Sequence, residues 1–264
     1  MTLLAILMGT LTAGLGSVWL AALLSFGVLA RYTQHMLSLA AGALLATAFM
    51  HLLPEAFEGS VDAHNLFMVL LAGIIFFFLL DKAELWHHGH EHGHDHSAHH
   101  DHNHDHSAQH GHAQATGIWA VLVGDSVHCF GDGVLIASAF MADLRLGMVA
   151  SLAVLAHEVP HHMGDLSVVR SGASNRRTAF DKVSLAGAVT TLGGLLGYWL
   201  VERLQAYLPY FLVVASSSFV YVALADLIPQ LQKRLSARET AAQVIWLASG
   251  VGLVTLVSGF AHVH

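Results

Sequence analysis

Residues 145–169, RLGMVASLAVLAHEVPHHMGDLSVV, pose the question on which the fold depends. The segment is long and apolar enough to cross a membrane. At its centre, however, His157, Glu158 and His161 match the H-E-x-x-H pattern with which metalloproteases bind zinc and activate water. Pro160 lies inside this motif. The segment is therefore either the catalytic helix of a zinc protease or a membrane helix with a polar seam.

The composition favours the membrane helix. Of the 264 residues, 55% are hydrophobic and only 11% are charged, and the mean hydropathy is +0.59. This is more apolar surface than a soluble domain of this length buries, which predicts an all-α polytopic membrane protein with one domain over residues 1–264. A single cysteine excludes an internal disulfide. The net charge of -7 and the position of the basic residues near span ends argue against nucleic acid as a partner.

We predict eight transmembrane helices, because a helix crossing the bilayer needs about 20 mostly apolar residues. Their approximate bounds are 3–29, 36–57, 64–85, 117–141, 145–169, 181–201, 209–231 and 241–261. The N-terminal stretch has no basic region before its apolar run, so we expect it to be the first span and not a cleaved signal.

The distribution of Lys and Arg predicts the orientation. If the first connection is cytoplasmic, nine basic residues lie inside and only Arg145 and Arg203 lie outside. The nine are Arg31, Lys82, Arg170, Arg176, Arg177, Lys182, Lys233, Arg234 and Arg238. This bias follows the positive-inside rule, and an even number of spans then places both termini outside.

The connection between the third and fourth spans, residues 86–115, is rich in histidine. Thirteen of the chain's 22 histidines lie between His87 and His112, among Asp, Gly and Ser. Such a segment has no apolar core, so we expect a disordered cytoplasmic loop. Imidazole is a common ligand of Zn²⁺, which favours metal buffering or sensing over an inert linker.

Ionisable residues occur inside the fourth and fifth spans at helical spacing. Such residues are costly in a bilayer and usually face the bundle interior, where they mark ion pathways. The fourth span carries Asp125, His128, Cys129 and Asp132, and the fifth carries His157, Glu158, His161, His162 and Asp165. Their side chains are all ligands of divalent cations, so we predict a metal site between these two helices. The alternative, a purely structural polar network, requires many buried polar groups to be satisfied.

Three further residues are candidates for the metal pathway. His51 and Glu55 lie four residues apart in the second span around Pro54, and Asp226 precedes Pro229 in the seventh. Prolines interrupt the helical hydrogen bonds, and interrupted membrane helices often accompany ion sites. A histidine or aspartate at such a position also has a structural explanation, as a hydrogen-bonding or capping group.

Three features argue against the protease. In intramembrane metalloproteases an Asp-Gly ligand follows the H-E-x-x-H span, whereas Asp132-Gly133 precedes it here. Pro160 would distort the turn that aims both histidines at one zinc. The remaining His and Asp side chains also exceed the three ligands plus water of a catalytic zinc.

The motifs HCFGDG (128–133) and HEVPHHMGD (157–165) resemble those of the ZIP (Zrt/Irt-like protein) family of divalent-metal transporters. The resemblance also covers HLLPEA in the second span, ALADLIP in the seventh and the histidine-rich loop, and is closest to the branch with HNFxDG and HExPHExGD. It implies a metal site midway across the membrane and zinc movement toward the cytoplasm. By position, the implied ligands are His128, Asp132, Glu158 and His161, and further polar positions match Asp125, His157 and Asp165.

Two residues depart from the branch pattern. Cys129 replaces asparagine and His162 replaces glutamate. Both are softer ligands, which should favour Zn²⁺ over Mn²⁺ or Fe²⁺. The resemblance leaves Cd²⁺, Fe²⁺ and Mn²⁺ as further candidate substrates and implies no organic cofactor.

We therefore predict Zn²⁺ uptake toward the cytoplasm by alternating access through a binuclear-type site, with no enzymatic activity. The alternative of another class is a membrane-embedded metal sensor or receptor that binds without passing the ion. The expected partners are divalent metal ions and the lipid bilayer, with a homodimer compatible with the sequence. The absence of an N-x-S/T sequon favours a bacterial inner membrane over a eukaryotic endomembrane.

Overall fold

The structure is a computed structural model that describes residues 1–25, 33–89, 107–172, 175–232 and 236–260. Within these ranges the chain is helical and forms eight rods. They are α1 (2–25), α2 (33–57), α3 (Ala63–Gly89), α4 (Ser107–Ala142), α5 (Leu144–Gly172), α6 (Arg176–Arg203), α7 (205–231) and α8 (Ala237–Phe260).

Six of the rods are long and apolar enough to cross a membrane, which confirms an all-α polytopic membrane protein. In the described part of the chain, α4 and α5 do not meet this criterion. Both carry the polar residues singled out above, and these lower the hydropathy of otherwise apolar helices. That α4 and α5 also span the membrane, giving eight spans, stays a prediction.

The predicted histidine-rich loop is only partly described. The helix α3 continues to Gly89 and α4 begins at Ser107, so both ends of the segment 86–115 are helical and not loop. The Ala, Gln and His residues at these ends are compatible with a helix. Backbone hydrogen bonds therefore continue each helix beyond its apolar stretch. The remainder, 90–106, lies outside the described residues.

Three rods contain a π-helical turn. These turns are Thr12–Gly16 in α1, Ala48–Leu52 in α2 and Val222–Leu227 in α7. In α2 and α7 the turn lies just before Pro54 and Pro229, which lack the N–H that would bond a carbonyl four residues earlier. The residue before each proline instead bonds a carbonyl five residues earlier, as Leu53 N does with Ala48 O. In α5, by contrast, the helix continues through Pro160.

Glycines bring two pairs of rods into close contact. In the pair α4 and α6, a Cβ on Gly133 would overlap the Thr190 carbonyl, and one on Gly193 would overlap the Phe130 carbonyl. The pair α2 and α8 has the same reciprocal arrangement, with Gly42 against Leu247 and Gly250 against Leu39. Small residues thus allow the backbones to touch, as is common between membrane helices.

The helices α4 and α5 pack against each other and are joined by Asp143 alone. The Asp143 carboxylate accepts hydrogen bonds from the backbone N–H groups of Arg145 and Leu146, at 2.8 and 3.4 Å, and so caps the start of α5. The two helices therefore run antiparallel from this tight turn. Their polar stripes face each other in the middle of the bundle.

Candidate metal centre

The interface of α4 and α5 brings together all nine metal ligands predicted in these helices. Their ligand atoms form three groups, within each of which the atoms lie within 4.8 Å of one another. We name each group by one residue that belongs to it alone. The His128 group is His128, Asp132, His157 and Glu158; the Cys129 group is Asp125, Cys129, Glu158 and His162; the Asp165 group is Asp125, His161 and Asp165.

The His128 group is nearest to the Asp143 turn. His157 Nε2 lies 3.2 Å from both Asp132 Oδ2 and Glu158 Oε1, and His128 Nε2 lies 3.3 Å from Glu158 Oε1. The two Nε2 atoms are 3.4 Å apart, so both rings point into the same small space. His128 is partly exposed, whereas the other three side chains are buried.

The Cys129 group lies deeper in the interface and all its members are buried. His162 Nε2 is 3.1 Å from Glu158 Oε2 and 3.6 Å from Asp125 Oδ1. Cys129 Sγ lies 3.6 Å from Asp125 Oδ1 and 3.8 Å from Glu158 Oε2. Sulfur, imidazole nitrogen and carboxylate oxygen together form the mixed ligand set that zinc accepts.

Glu158 connects the first two groups. Its Oε1 atom faces the His128 group, and its Oε2 atom faces the Cys129 group. A carboxylate shared in this way has the position of a bridge between two metal ions. The H-E-x-x-H glutamate therefore lies between imidazole nitrogens of both groups.

The ring orientation of two histidines is fixed from outside the groups. His157 Nδ1 lies 3.2 Å from the Ala153 carbonyl, which accepts a hydrogen bond only if Nδ1 carries the proton. Ser17 Oγ donates its one proton to the Gly14 carbonyl at 2.5 Å, so it accepts from His162 Nδ1 at 3.0 Å. In the neutral form of each ring, Nε2 then carries the lone pair and is directed at the ligand groups, the arrangement typical of metal-binding histidines.

The Asp165 group is the farthest from the Asp143 turn. His161 Nδ1 lies 3.2 Å from Asp165 Oδ2 and 3.7 Å from Asp125 Oδ1. The two histidines of the H-E-x-x-H motif therefore belong to different groups, His157 to the His128 group and His161 to this one. The side chains therefore do not place both histidines around one zinc ion, as a protease would.

Buried acidic oxygens without hydrogen bonds occur in every group. Within the described residues, Asp125 Oδ2, Asp132 Oδ2, Glu158 Oε1 and Asp165 Oδ2 are buried and make none, although an imidazole nitrogen lies 3.2 Å from each of the last three. An ionised carboxylate shielded from water is costly unless a cation compensates it. Protonated histidines or bound divalent metal can supply this charge.

A cavity of about 250 Å³ adjoins the groups on the side away from Asp143. One wall is formed by α4 and α5 and includes Asp125, His161 and Asp165 as well as His128 and His157 of the His128 group. The opposite wall belongs to α3 and α7 and includes Asp81, Tyr221 and Asp226, with Tyr221 donating a hydrogen bond to Asp81 at 3.0 Å.

The predicted pathway residues lie outside the three groups. Asp226 lines the cavity and accepts a hydrogen bond from Gln230 at 2.9 Å. His51 and Glu55 lie on α2, where His51 Nδ1 is 3.5 Å from Ser258 Oγ. In the described part of the chain neither joins a ligand group.

Sequence patterns did not reveal Ser17, Asp81 or Tyr221. Ser17 directly follows the small-residue turn of α1 and meets His162, which is 145 positions away in the sequence. Small residues around it indicate a close helix contact, but no local pattern identifies the partner helix.

Comparisons with known proteins identify relatives of this chain. The sequence model of a family described as ZIP Zinc transporter matches residues 83–258. The chain is 28% identical to "Zinc transporter ZIP13" of Pongo abelii, over 96% of this chain and 78% of that protein. It is 34% identical to "Zinc transporter ZIP4" of Homo sapiens, over 52% of this chain, and 34% identical to "Zinc transporter ZIP10" of Homo sapiens, over 55%. These matches cover 20% and 17% of the two human proteins.

Proposed function

Since the chain belongs to the ZIP zinc transporter family, we propose that it moves Zn²⁺ toward the cytoplasm through a binuclear site between α4 and α5. Family membership makes the chain a transmembrane zinc transporter and not an enzyme. The metalloprotease alternative is therefore wrong. The direction, the number of metal ions and the ligands are our proposals.

The single observation that carries the binuclear site is the shared carboxylate of Glu158. Its two oxygens face two ligand groups that both contain an imidazole Nε2 and at least one further acid. Two cations held on either side of one carboxylate compensate the charge of the buried acids better than one. We assign His128, Asp132 and His157 to the first ion and Asp125, Cys129 and His162 to the second.

The direction rests on the basic residues. Positive charge lies at the end of α5, at Arg170, and at the start of α6, at Arg176 and Arg177. Cytoplasmic ends of membrane helices typically carry such charge. The cavity lies toward this end of α4 and α5. This supports a site that communicates with the cytoplasm in the conformation described. Eight spans would then place both termini outside.

Selectivity follows from the Cys129 group. Thiolate and imidazole are softer than the asparagine and glutamate of the branch pattern, and they favour Zn²⁺ and Cd²⁺ over Mn²⁺ and Fe²⁺. A homodimer and a bacterial inner membrane stay predictions from the sequence.

Uptake of radioactive zinc by reconstituted proteoliposomes tests the proposal. We expect Asp132→Asn to reduce the flux by roughly tenfold or more, because it removes a charged ligand from the His128 group. Asp181→Asn is the matched control, since it makes the same change at an exposed position of α6 and should transport normally. Flux in the opposite direction only, or equal flux in both variants, would contradict the proposal. Saturable binding without any flux would favour the sensor.

A further inference from the structure

A second cavity lies between α1, α5 and α6. Its volume is about 130 Å³, and among the described residues it shares no lining residue with the cavity beside the metal centre. On α5 it is lined by one stripe of residues at spacings of three and four, namely Met163, Leu166, Ser167 and Arg170. His161 and Asp165 lie about half a turn around the helix from this stripe. The second cavity therefore lies on the face of α5 opposite to the metal centre.

The buried residues that line this second cavity are apolar and come from all three helices. They include Ala22 of α1 and Met163 and Leu166 of α5, with the partly buried Phe180 of α6 beside them. These side chains belong to one hydrophobic cluster of the bundle. A hollow with such a floor favours contact with hydrocarbon over contact with water.

The exposed residues that line the second cavity are polar, and two of them are arginines. They are Ser167 and Arg170 of α5 and Arg176 of α6. Among the described residues, no acid lines this cavity. A guanidinium group presents paired N–H donors whose spacing matches two oxygens of a phosphate. Two such groups from neighbouring helices beside one cavity are suited to bind one phosphate group.

The start of α6 adds further positive charge at this place. Arg176 and Arg177 are the first two residues of the helix, and its first turn contains no acid. The N-terminal end of a helix already carries partial positive charge, so arginines in the first turn oppose the helix dipole. A bound anion would compensate both the arginines and the helix end.

The ends of two membrane spans place the second cavity at the level of lipid head groups. The apolar span of α6 begins at Arg176, and that of α1 ends at Leu24, close to Ala22. Basic pockets between membrane helices on the cytoplasmic side bind the head groups of anionic lipids. In the orientation proposed above, this end of the bundle faces the cytoplasm.

We propose that the second cavity binds an anionic phospholipid. Arg170 and Arg176 hold the lipid phosphate, and the apolar floor receives the adjoining part of an acyl chain. The bound lipid then links the end of α5 to the start of α6. This ligand is distinct from the metal ions, so the proposal does not depend on the number of zinc ions or on the direction of transport.

Native mass spectrometry of the purified chain in detergent tests lipid binding. Phosphatidylglycerol should bind about tenfold or more tightly than phosphatidylcholine with the same acyl chains, because only the first has a net negative charge. Arg170→Gln and Arg176→Gln should each weaken phosphatidylglycerol binding by about fivefold. The control Arg238→Gln removes an exposed arginine from the first turn of α8, outside the cavity, and should change binding by less than about twofold. Equal binding of the two lipids, or equal losses in all three variants, would overturn the proposal.

A spectroscopic control separates lost lipid binding from damage to α5. Cys129 is the chain's one cysteine, so a thiolate-to-Cd²⁺ charge-transfer band in the ultraviolet reports only the Cys129 group. Arg170 lies on the opposite face of α5, so Arg170→Gln should change the Cd²⁺ concentration for half-maximal band by less than about threefold. Loss of the band in this variant would mean that Arg170 holds α5 in place, which would overturn its assignment to the lipid.

Thermal unfolding in detergent distinguishes a lipid from free phosphate. Without anionic lipid, Arg176→Gln should unfold at or above the wild-type temperature, because it removes a charge that opposes the dipole of α6. Phosphatidylglycerol should raise the unfolding temperature of the wild-type chain and leave that of the variant unchanged, since a ligand stabilises only the fold that binds it. Inorganic phosphate at millimolar concentration should stabilise neither. Stabilisation of the wild type by phosphate alone, or a variant that unfolds below the wild type without lipid, would overturn the lipid site.

Discussion

Replacing Ser17 by alanine should weaken metal binding at a residue 145 positions away. The Ser17 hydroxyl donates to the Gly14 carbonyl and therefore accepts the Nδ1–H of His162, which leaves His162 Nε2 free to bind metal. Ser17→Ala removes the acceptor without touching any ligand. The buried imidazole then has either an unpaired Nδ1–H or a proton on the nitrogen that must bind the ion.

The size of the effect follows from the burial of the contact. Ser17 and His162 are both fully buried, so water is not placed to replace the lost acceptor. An unsatisfied buried donor costs about 1–3 kcal/mol, and about 1.4 kcal/mol corresponds to a tenfold change in affinity. We therefore expect Cd²⁺ to bind the Cys129 group about 10- to 100-fold more weakly, the range typical of lost partners of metal-binding histidines.

The assay is a Cd²⁺ titration of the purified chain followed by the thiolate charge-transfer band. Ser38→Ala is the matched control, because the buried Ser38 hydroxyl also donates to a carbonyl of its own helix, Gln34 at 3.0 Å, in α2 and away from the ligand groups. It should bind Cd²⁺ like the wild type. If both serine variants gave the same affinity, the assignment of the His162 ring orientation would be refuted.

Two further substitutions test the packing and the ligand chemistry. Gly133→Ala should lower the thermal unfolding temperature in detergent, because its Cβ would overlap the Thr190 carbonyl and such overpacking costs about 1–3 kcal/mol. In the control Gly131→Ala, on the same helix, the new Cβ meets no atom within 4 Å, so this variant should unfold at or above the wild-type temperature. Equal unfolding temperatures would contradict the close contact of α4 and α6. Cys129→Asn should abolish the charge-transfer band and shift competition in uptake assays from Cd²⁺ toward Mn²⁺ by roughly tenfold, whereas unchanged competition would show that the thiol is not a ligand.

Sequence patterns predicted which helices carry the ligands. Charged residues at helical spacing in apolar segments leave few alternatives, since lipid-facing positions are too costly for them. For this reason all nine predicted ligands of α4 and α5 converge. The helix bounds were predicted less accurately where α3 and α4 extend into the histidine-rich segment, because hydropathy does not show where a helix ends beyond the bilayer.

The distribution of these residues among groups was not predictable from spacing. His157 and His161 lie one turn apart, which suggests a common metal, yet they join different groups. The outcome depends on the rotation of α5 against α4 and on contacts such as Ser17 with His162. These are tertiary features, and a pattern within one helix does not contain them.

The one-residue connection at Asp143 makes α4 and α5 the two arms of a lever. At 1.5 Å per residue, Asp132 lies about 16 Å along α4 from this pivot and Asp125 about 27 Å. A change of about 5° in the angle between the arms would displace Asp125 by about 2 Å, a full metal–ligand distance, and Asp132 by little more than about 1 Å. A small change in this angle would thus displace the ligands far from the pivot, such as Asp125, more than those near it, such as Asp132.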